Sequence, residues 1–127
     1  MPVSLKVHLL IFITIATTVY AQLAVKKQMA GLGSLPEGLL AKLGVLFAAL
    51  VSPWVFTAIV AIFLGALCWM SILTILTLSY AYPFMSLTFI LVPLASMFFF
   101  NEPFSWNRIV GALFIVAGLC ISSFFNS

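Results

Sequence analysis

Thr14, Thr18, Gln22 and Lys26 recur at every fourth position through an otherwise apolar stretch. On a helix that spacing lays out one straight polar stripe ending in a cation. Ser71, Thr74 and Thr77 lie close to a second helical face, and in "SYAYPFMSL" Tyr82 and Ser86 share a third. Hydroxyls in apolar helices have two uses: bonding the carbonyl of the preceding turn, or facing a polar solute. Cations are few (Lys6, Lys26, Lys27, Lys42 and Arg108), and carboxylates fewer still, Glu37 and Glu102. Glu102 is the odder of the two, set between Asn101 and Pro103 in "FFFNEPFSWNR" directly after three phenylalanines. This inventory favours binding over bond-making. It holds no nucleophile paired with a base, no metal-ligand cluster and no glycine-rich phosphate loop, so neither an enzyme nor a bound metal or cofactor is expected. Cys68 and Cys120 fall inside apolar runs as small hydrophobes, and His8 has no second ligand near it in sequence. The net charge of +3 is too small and too scattered for a nucleic-acid surface.

The elements that position these residues follow from composition. Of 127 residues, 65% are apolar and 6% charged, and residues 43–101 contain no Asp, Glu, Lys or Arg. A water-soluble domain of this size cannot hide so much apolar surface. One bilayer crossing needs about 20 apolar residues, so the uncharged run alone holds at least two. Open sheet edges do not survive in lipid and no alternating pattern suggests a barrel, so the expected fold is an all-α integral membrane domain.

Four crossings are expected, at about 7–25, 54–78, 82–100 and 106–125, in a single domain spanning 1–127. Trp54, Tyr80, Tyr82 and Trp106 stand at proposed ends, where amphipathic rings settle at the headgroup level. The start of the chain imitates a signal peptide, with Lys6, an apolar stretch and "VYA" before Gln22, but no cleavage is expected because further spans follow. Between the first two crossings, Ser34 and Glu37 have capping-box spacing with Pro36 in the first turn, and Leu39, Leu40, Leu43, Leu46, Phe47 and Leu50 recur at helical period. This predicts a helix over about 36–52, short for a crossing and carrying Lys42, that lies along or dips into the interface. In the third crossing Pro83 falls in the first turn, where it is tolerated, whereas mid-span Pro93 is expected to kink the helix.

Lys26, Lys27, Lys42 and Arg108 fall after the first and third crossings, against Lys6 on the opposite side with His8 counted neutral. That bias puts both loops in the cytoplasm and both termini outside. Four helices enclose little, so the working unit is expected to be a dimer or larger. Gly111, Gly118 and Ser122 form a small-residue stripe that could meet a partner or the chain's own helices.

The closing stretch "AYPFMSLTFILVPLASMFFFNEPFSWNRIVGALFIVAGLCIS" resembles half of an EamA-type unit of the drug/metabolite transporter superfamily, through its Glu-Pro and the Gly-Ala-apolar-Gly pattern that follows. "AQLAVKKQMA" and "YPFMSL" are similar to the four-helix branch that holds the subunits of the 4-amino-4-deoxy-L-arabinose–phosphoundecaprenol flippase. The small multidrug resistance exporters are similar in size but carry a membrane-embedded glutamate in the first helix. Counting back from Lys26, that position here is Thr18, which has no proton to exchange near neutral pH.

The resemblance implies a subunit that flips a polyprenyl-phosphate-linked sugar, an aminosugar among the candidates, across a bacterial inner membrane for cell-envelope glycan or lipid A modification. It also implies a homodimer or a heterodimer with a related four-helix chain. Lys26, Lys27 and Arg108 would then take the phosphate, Arg108 at two points and each lysine at one. Gln22, Thr18, Tyr82 and Ser86 would follow the sugar inward, while membrane lipid keeps the prenyl tail. Glu102 has two open tasks: pairing with Arg108 or Lys26 to hold helix ends, or binding a sugar amine or hydroxyl. Two other functions stay open, an exporter of small molecules or drugs and a non-transporting membrane partner of a glycosyltransferase.

Overall fold

Two glycines with positive φ decide where the first helices stop and start. The computed structural model describes the backbone of residues 3–103 and 105–124, and the side chains of 5–103 and 105–122. Helix α1, Val3–Leu32, ends where Gly33 takes φ 73°, a left-handed value that glycine adopts without steric cost. Helix α2, Leu39–Leu50, begins after Gly38, whose φ of 93° and ψ of 137° interrupt any helical run from the preceding residues. The expected capping box therefore does not form. Ser34 and Glu37 lie exposed, no side chain caps α2, and the first turn is closed by the Lys42 N–H donating to the Gly38 carbonyl at 3.1 Å. The helix starts at Leu39 rather than Pro36.

Helix α3, Pro53–Leu73, opens on a cap that did form: Ser52 is extended, its Oγ accepts from the Val55 N–H at 3.4 Å, and Pro53 occupies the first turn. Its far end comes earlier than the residue-78 boundary read from hydropathy. Thr77 is extended and its Oγ1 accepts from the Tyr80 N–H at 3.3 Å, which starts helix α4, Leu78–Met85, afresh. Ser71, Thr74 and Thr77 therefore share no face; Ser71 and Thr74 donate to the Leu67 and Ser71 carbonyls.

The early start of α4 places Pro83 inside the helix instead of in its first turn. The helix is interrupted at Ser86–Leu87, and helix α5, Thr88–Phe100, runs through Pro93. Hydroxyl groups account for the position. The Ser86 Oγ donates to the Pro83 carbonyl, and the Thr88 Oγ1 donates to the Met85 carbonyl at 2.9 Å, both three residues back. The Leu87 and Phe89 N–H groups likewise reach back three residues, so the chain tightens into a 3₁₀-like turn. Asn101, at φ 53°, ends α5 in the left-handed region that Asn tolerates, and helix α6 runs Trp106–Phe124. The expected end of the fourth crossing at Phe125 lies outside the described residues.

Helix α1 lies along α3 over most of its length and also meets α4 and α5, while α6 rests on α4 and α5. The α1–α3 seam is built from small residues, with Ala21, Ala24 and Ala58 buried together and Gly65 against Thr17. Small side chains let helix backbones approach where lipid offers no hydrophobic drive. A second buried cluster joins Val7, Ile11 and Ile15 of α1 to Ile72 and Ala81. Large apolar side chains such as Phe12, Phe63, Met70 and Phe114 point outward. Leu5–Leu32, Pro53–Leu73 and Leu78–Phe100 are each long and apolar enough to cross a bilayer; Leu39–Leu50 and Trp106–Ser122 are shorter apolar helices.

Candidate functional site

The polar residues of α1 do not form a straight stripe. At about 100° per residue, an i, i+4 series advances about 40° around the helix at each step, so Thr14 and Lys26 lie roughly 120° apart. The series divides accordingly. Thr14 and Thr18 line a cavity of about 420 Å³ with Gly65, Trp69, Tyr82 and Ser86, whereas Gln22 is exposed and does not line it, and Lys26 turns toward the α5–α6 loop. Thr18, Tyr82 and Ser86, singled out on separate elements, come together in this chamber. The Ser86–Leu87 turn lets Tyr82, Ser86 and Thr88 all face it, and Gly65 admits the Thr17 side chain beside it.

Within the chamber the hydroxyl hydrogens of Thr14, Thr18 and Ser86 are already spent on the backbone. Thr14 Oγ1 donates to the Leu10 carbonyl and Thr18 Oγ1 to the Thr14 carbonyl, both at 2.8 Å, and Ser86 Oγ donates to Pro83. Their oxygens remain as acceptors, so the chamber is suited to a solute rich in hydroxyl or amine donors. Trp69 meets Tyr82 edge to face, with ring centroids 6.5 Å apart, and supplies a flat wall. No carboxylate lines the chamber.

Lys26 and Lys27 stand toward the far end of α1, where Glu102 joins Lys26 to the cleft that Arg108 lines. Both lysines lie within the last two turns of α1, not in a loop. Being consecutive, they diverge by about 100°. Lys26 Nζ pairs with Glu102 Oε1 at 3.7 Å, which realises one of the two structural pairings open to Glu102. Arg108 lines a cleft of about 20 Å³ together with Glu102 and Pro93. Lys27 Nζ stands 4.4 Å from the centre of the Trp54 ring, a cation–π contact, and lines a separate cavity with Tyr20, Leu23, Phe99 and Phe100. The sequence offers Trp54 only as an interfacial anchor and assigns no role to Tyr20, Phe99 or Phe100. Spacing along the chain carries no signal for this contact, because Trp54 reaches Lys27 only through the α1–α3 seam. Among the described residues no group of His, Cys, Asp and Glu could hold a metal ion.

Gly111 and Gly118 of α6 face open space, with nothing within 4 Å of where a β-carbon would stand, and Ser122 is also exposed. The stripe thus does not serve contact with the chain's own described helices.

Apolar crossings around a hydroxyl-lined chamber, with cations gathered at one end, define a multi-pass helical membrane protein of the transporter class. The chain belongs to the EamA-like transporter family, whose profile matches residues 5–124. It is 39% identical over 99 residues, 73% of this chain and 86% of the relative, to a Pseudomonas aeruginosa protein named "Probable 4-amino-4-deoxy-L-arabinose-phosphoundecaprenol flippase subunit ArnE". A Pseudomonas paraeruginosa protein of the same name is 37% identical over the same shares. An Erwinia tasmaniensis protein named as the ArnF subunit of that flippase is 43% identical over 68 residues, 52% of this chain and 54% of the relative. No solved structure matches.

Proposed function

We propose that the protein is one subunit of a flippase that moves a polyprenyl-phosphate-linked sugar, an aminosugar by preference, across the bacterial inner membrane for cell-envelope glycan or lipid A modification. The observation that carries this reading is the chamber. A transporter of a sugar headgroup needs hydrogen-bonding groups within the membrane and a wall for the ring, and Thr18, Tyr82, Ser86 and Trp69 supply them in one cavity. Gln22 stands between this chamber and the cationic end, where Lys26, Lys27 and Arg108 draw the anionic phosphate. Glu102 holds Lys26 in register. The prenyl tail stays in membrane lipid.

In this reading the chain forms one four-span domain, with α1, α3, the α4–α5 pair and α6 crossing the membrane and α2 along the interface. Both termini face the periplasm, as the cation bias favours. Gly111, Gly118 and Ser122 form the contact with a second copy or with a related four-helix chain. The names of the ArnE and ArnF relatives, two subunits of one flippase, favour the related chain.

The test is reconstitution in proteoliposomes with a fluorescent or radiolabelled lipid-linked aminosugar, with and without a related subunit. Movement that requires this chain is expected. Absence of movement in both preparations, with drug resistance on overexpression or copurification of a glycosyltransferase, would overturn the flippase reading in favour of an exporter or a non-transporting partner.

A further inference from the structure

Lys27 faces away from the chamber. It lies 27 − 18 = 9 residues beyond Thr18, which places the two about half a turn apart around α1 and about 13.5 Å apart along it. The cavity that Lys27 lines measures about 670 Å³ and shares no residue with the chamber. Its size falls in the range of small-molecule sites, roughly 300–1,000 Å³. Leu23, Phe99 and Phe100 make its apolar walls, and Tyr20 closes one side, its hydroxyl donating to Thr57 Oγ1 at 2.9 Å.

The three cations at this end are not equivalent. Lys26 is turned to Glu102, and Arg108 lines a cleft of about 20 Å³, room for about one water. Of the three, Lys27 is the one that opens onto a cavity of ligand size. The indole of Trp54 holds its ammonium from one side. An ammonium has three donors, so this stacking fixes the charge in place while leaving hydrogens for a second partner. One fixed cation above apolar aromatic walls is complementary to an amphiphile whose charge is a phosphate and whose remainder is a hydrocarbon chain.

Resting on the flippase reading, we infer that the Lys27–Trp54 cavity is a reception station for the phosphate of the lipid-linked substrate, separate from the chamber that receives the sugar. A sugar joined directly to its phosphate does not reach from Lys27 around α1 to Thr18, Tyr82 and Ser86. The two stations are therefore occupied in succession, the phosphate recognised first and the headgroup transferred afterwards.

The test measures lipid binding to the full chain in phosphatidylcholine nanodiscs, using undecaprenyl phosphate, neutral undecaprenol and phosphatidylglycerol. Lys27→Gln is expected to weaken undecaprenyl phosphate binding roughly tenfold or more, the scale of a lost charge-assisted contact, and to leave undecaprenol binding unchanged. Lys27→Arg should keep most of the affinity, and Lys42→Gln, which removes an exposed cation of α2 that lines neither cavity, should stay within about threefold of wild type. Equal loss in Lys42→Gln and Lys27→Gln, or no loss in Lys27→Gln, overturns the assignment. So does phosphatidylglycerol binding as tightly as undecaprenyl phosphate, which marks a general seat for anionic lipids. If Lys27-dependent binding holds while the wild type moves no lipid-linked sugar, the station stands and the flippase reading falls. Undiminished sugar-lipid movement by Lys27→Gln removes the station and leaves the flippase reading intact.

Discussion

Gly65 and Gly118 interrupt two apolar helices in the same way, yet the structure uses them oppositely. At Gly65 an added β-carbon would stand 2.6 Å from the Thr17 Oγ1; at Gly118 it would meet nothing within 4 Å. Gly65 is buried in the α1–α3 seam and lines the chamber, whereas Gly118 is exposed on a helix that rests on α4 and α5. A small residue in a membrane helix thus records a close neighbour, and where the chain provides none, the neighbour must come from another molecule or from lipid. The first region is finished within the subunit. The second faces lipid or another molecule.

The largest effect is expected at the finished seam. Gly65→Leu must displace Thr17, whose hydroxyl is bound to the Ile13 and Thr14 carbonyls at 2.9 Å, and then push α1 from α3. Overpacking of this kind costs about 1–3 kcal/mol and more when backbones must part. Thermal unfolding in detergent should show a clear fall in midpoint, with the chamber occluded. A melt unchanged from wild type would mean that the seam is loose and that Gly65 teaches nothing about contact.

The chamber comes next. Thr18→Val with Ser86→Ala removes two acceptors while each lost hydroxyl had bonded only its own helix. Stability should move by less than about 1 kcal/mol, and movement of the lipid-linked sugar should fall roughly thirtyfold, the scale of two hydrogen bonds at about 1 kcal/mol each. Full transport by the double variant would detach the chamber from the headgroup. Full loss of folded protein would instead assign both hydroxyls to the scaffold.

How far the sequence foretold this arrangement depends on how local the cause is. Membrane embedding follows from composition, since residues 43–101 without a charge have no other home. The Ser52–Pro53 start of α3 is local chemistry and was legible as Pro53 ending what precedes it. The Ser34–Glu37 box had the right spacing but was overruled by the positive φ of Gly38 one residue later. A kink in the third apolar segment was read from Pro93, whereas the interruption at Ser86–Leu87 is set by two hydroxyl-bearing residues, Ser86 and Thr88, which single-residue reading did not combine. At the site, Thr18, Tyr82 and Ser86 were identified as polar groups in an apolar setting, which is a property of single residues. The division between Lys26 and Lys27 was not legible, because it depends on which neighbour the α1–α3 and α1–α5 contacts bring alongside each lysine.

A smaller effect is expected from Glu102→Gln. The pair with Lys26 is 3.7 Å long and partly exposed, beyond the distance of a tight charge-assisted bond, and exposed pairs contribute about 0–1 kcal/mol. The melting midpoint should shift slightly and sugar transport should stay within about twofold of wild type. A collapse of transport with the midpoint preserved would give Glu102 its other task, the binding of an amine on the headgroup.

The smallest effect on the subunit itself is expected at Gly118, and its value lies in that contrast with Gly65. Gly118→Leu meets open space, so the unfolding midpoint should stay within about 0.5 kcal/mol of wild type, as surface substitutions do. Membrane insertion should be normal. What should fall is the crosslinked dimer, because a bulky side chain at the middle of the Gly111–Gly118–Ser122 stripe holds the partner backbone away. Lys26, Lys27, Lys42 and Arg108 stand against Lys6 in the cation balance, which favours a single insertion orientation. Copies inserted the same way can pair only in parallel, and an antiparallel pair needs a second chain with a different bias. Reporter tags on both termini should therefore give one dominant side, and coexpression with a related subunit should restore crosslinking through wild-type Gly118 but not through Gly118→Leu. Equal populations of tags on the two sides would remove the fixed orientation. Crosslinking untouched by Gly118→Leu would return the open face of α6 to lipid and leave Gly65 as the one glycine of the pair placed for contact.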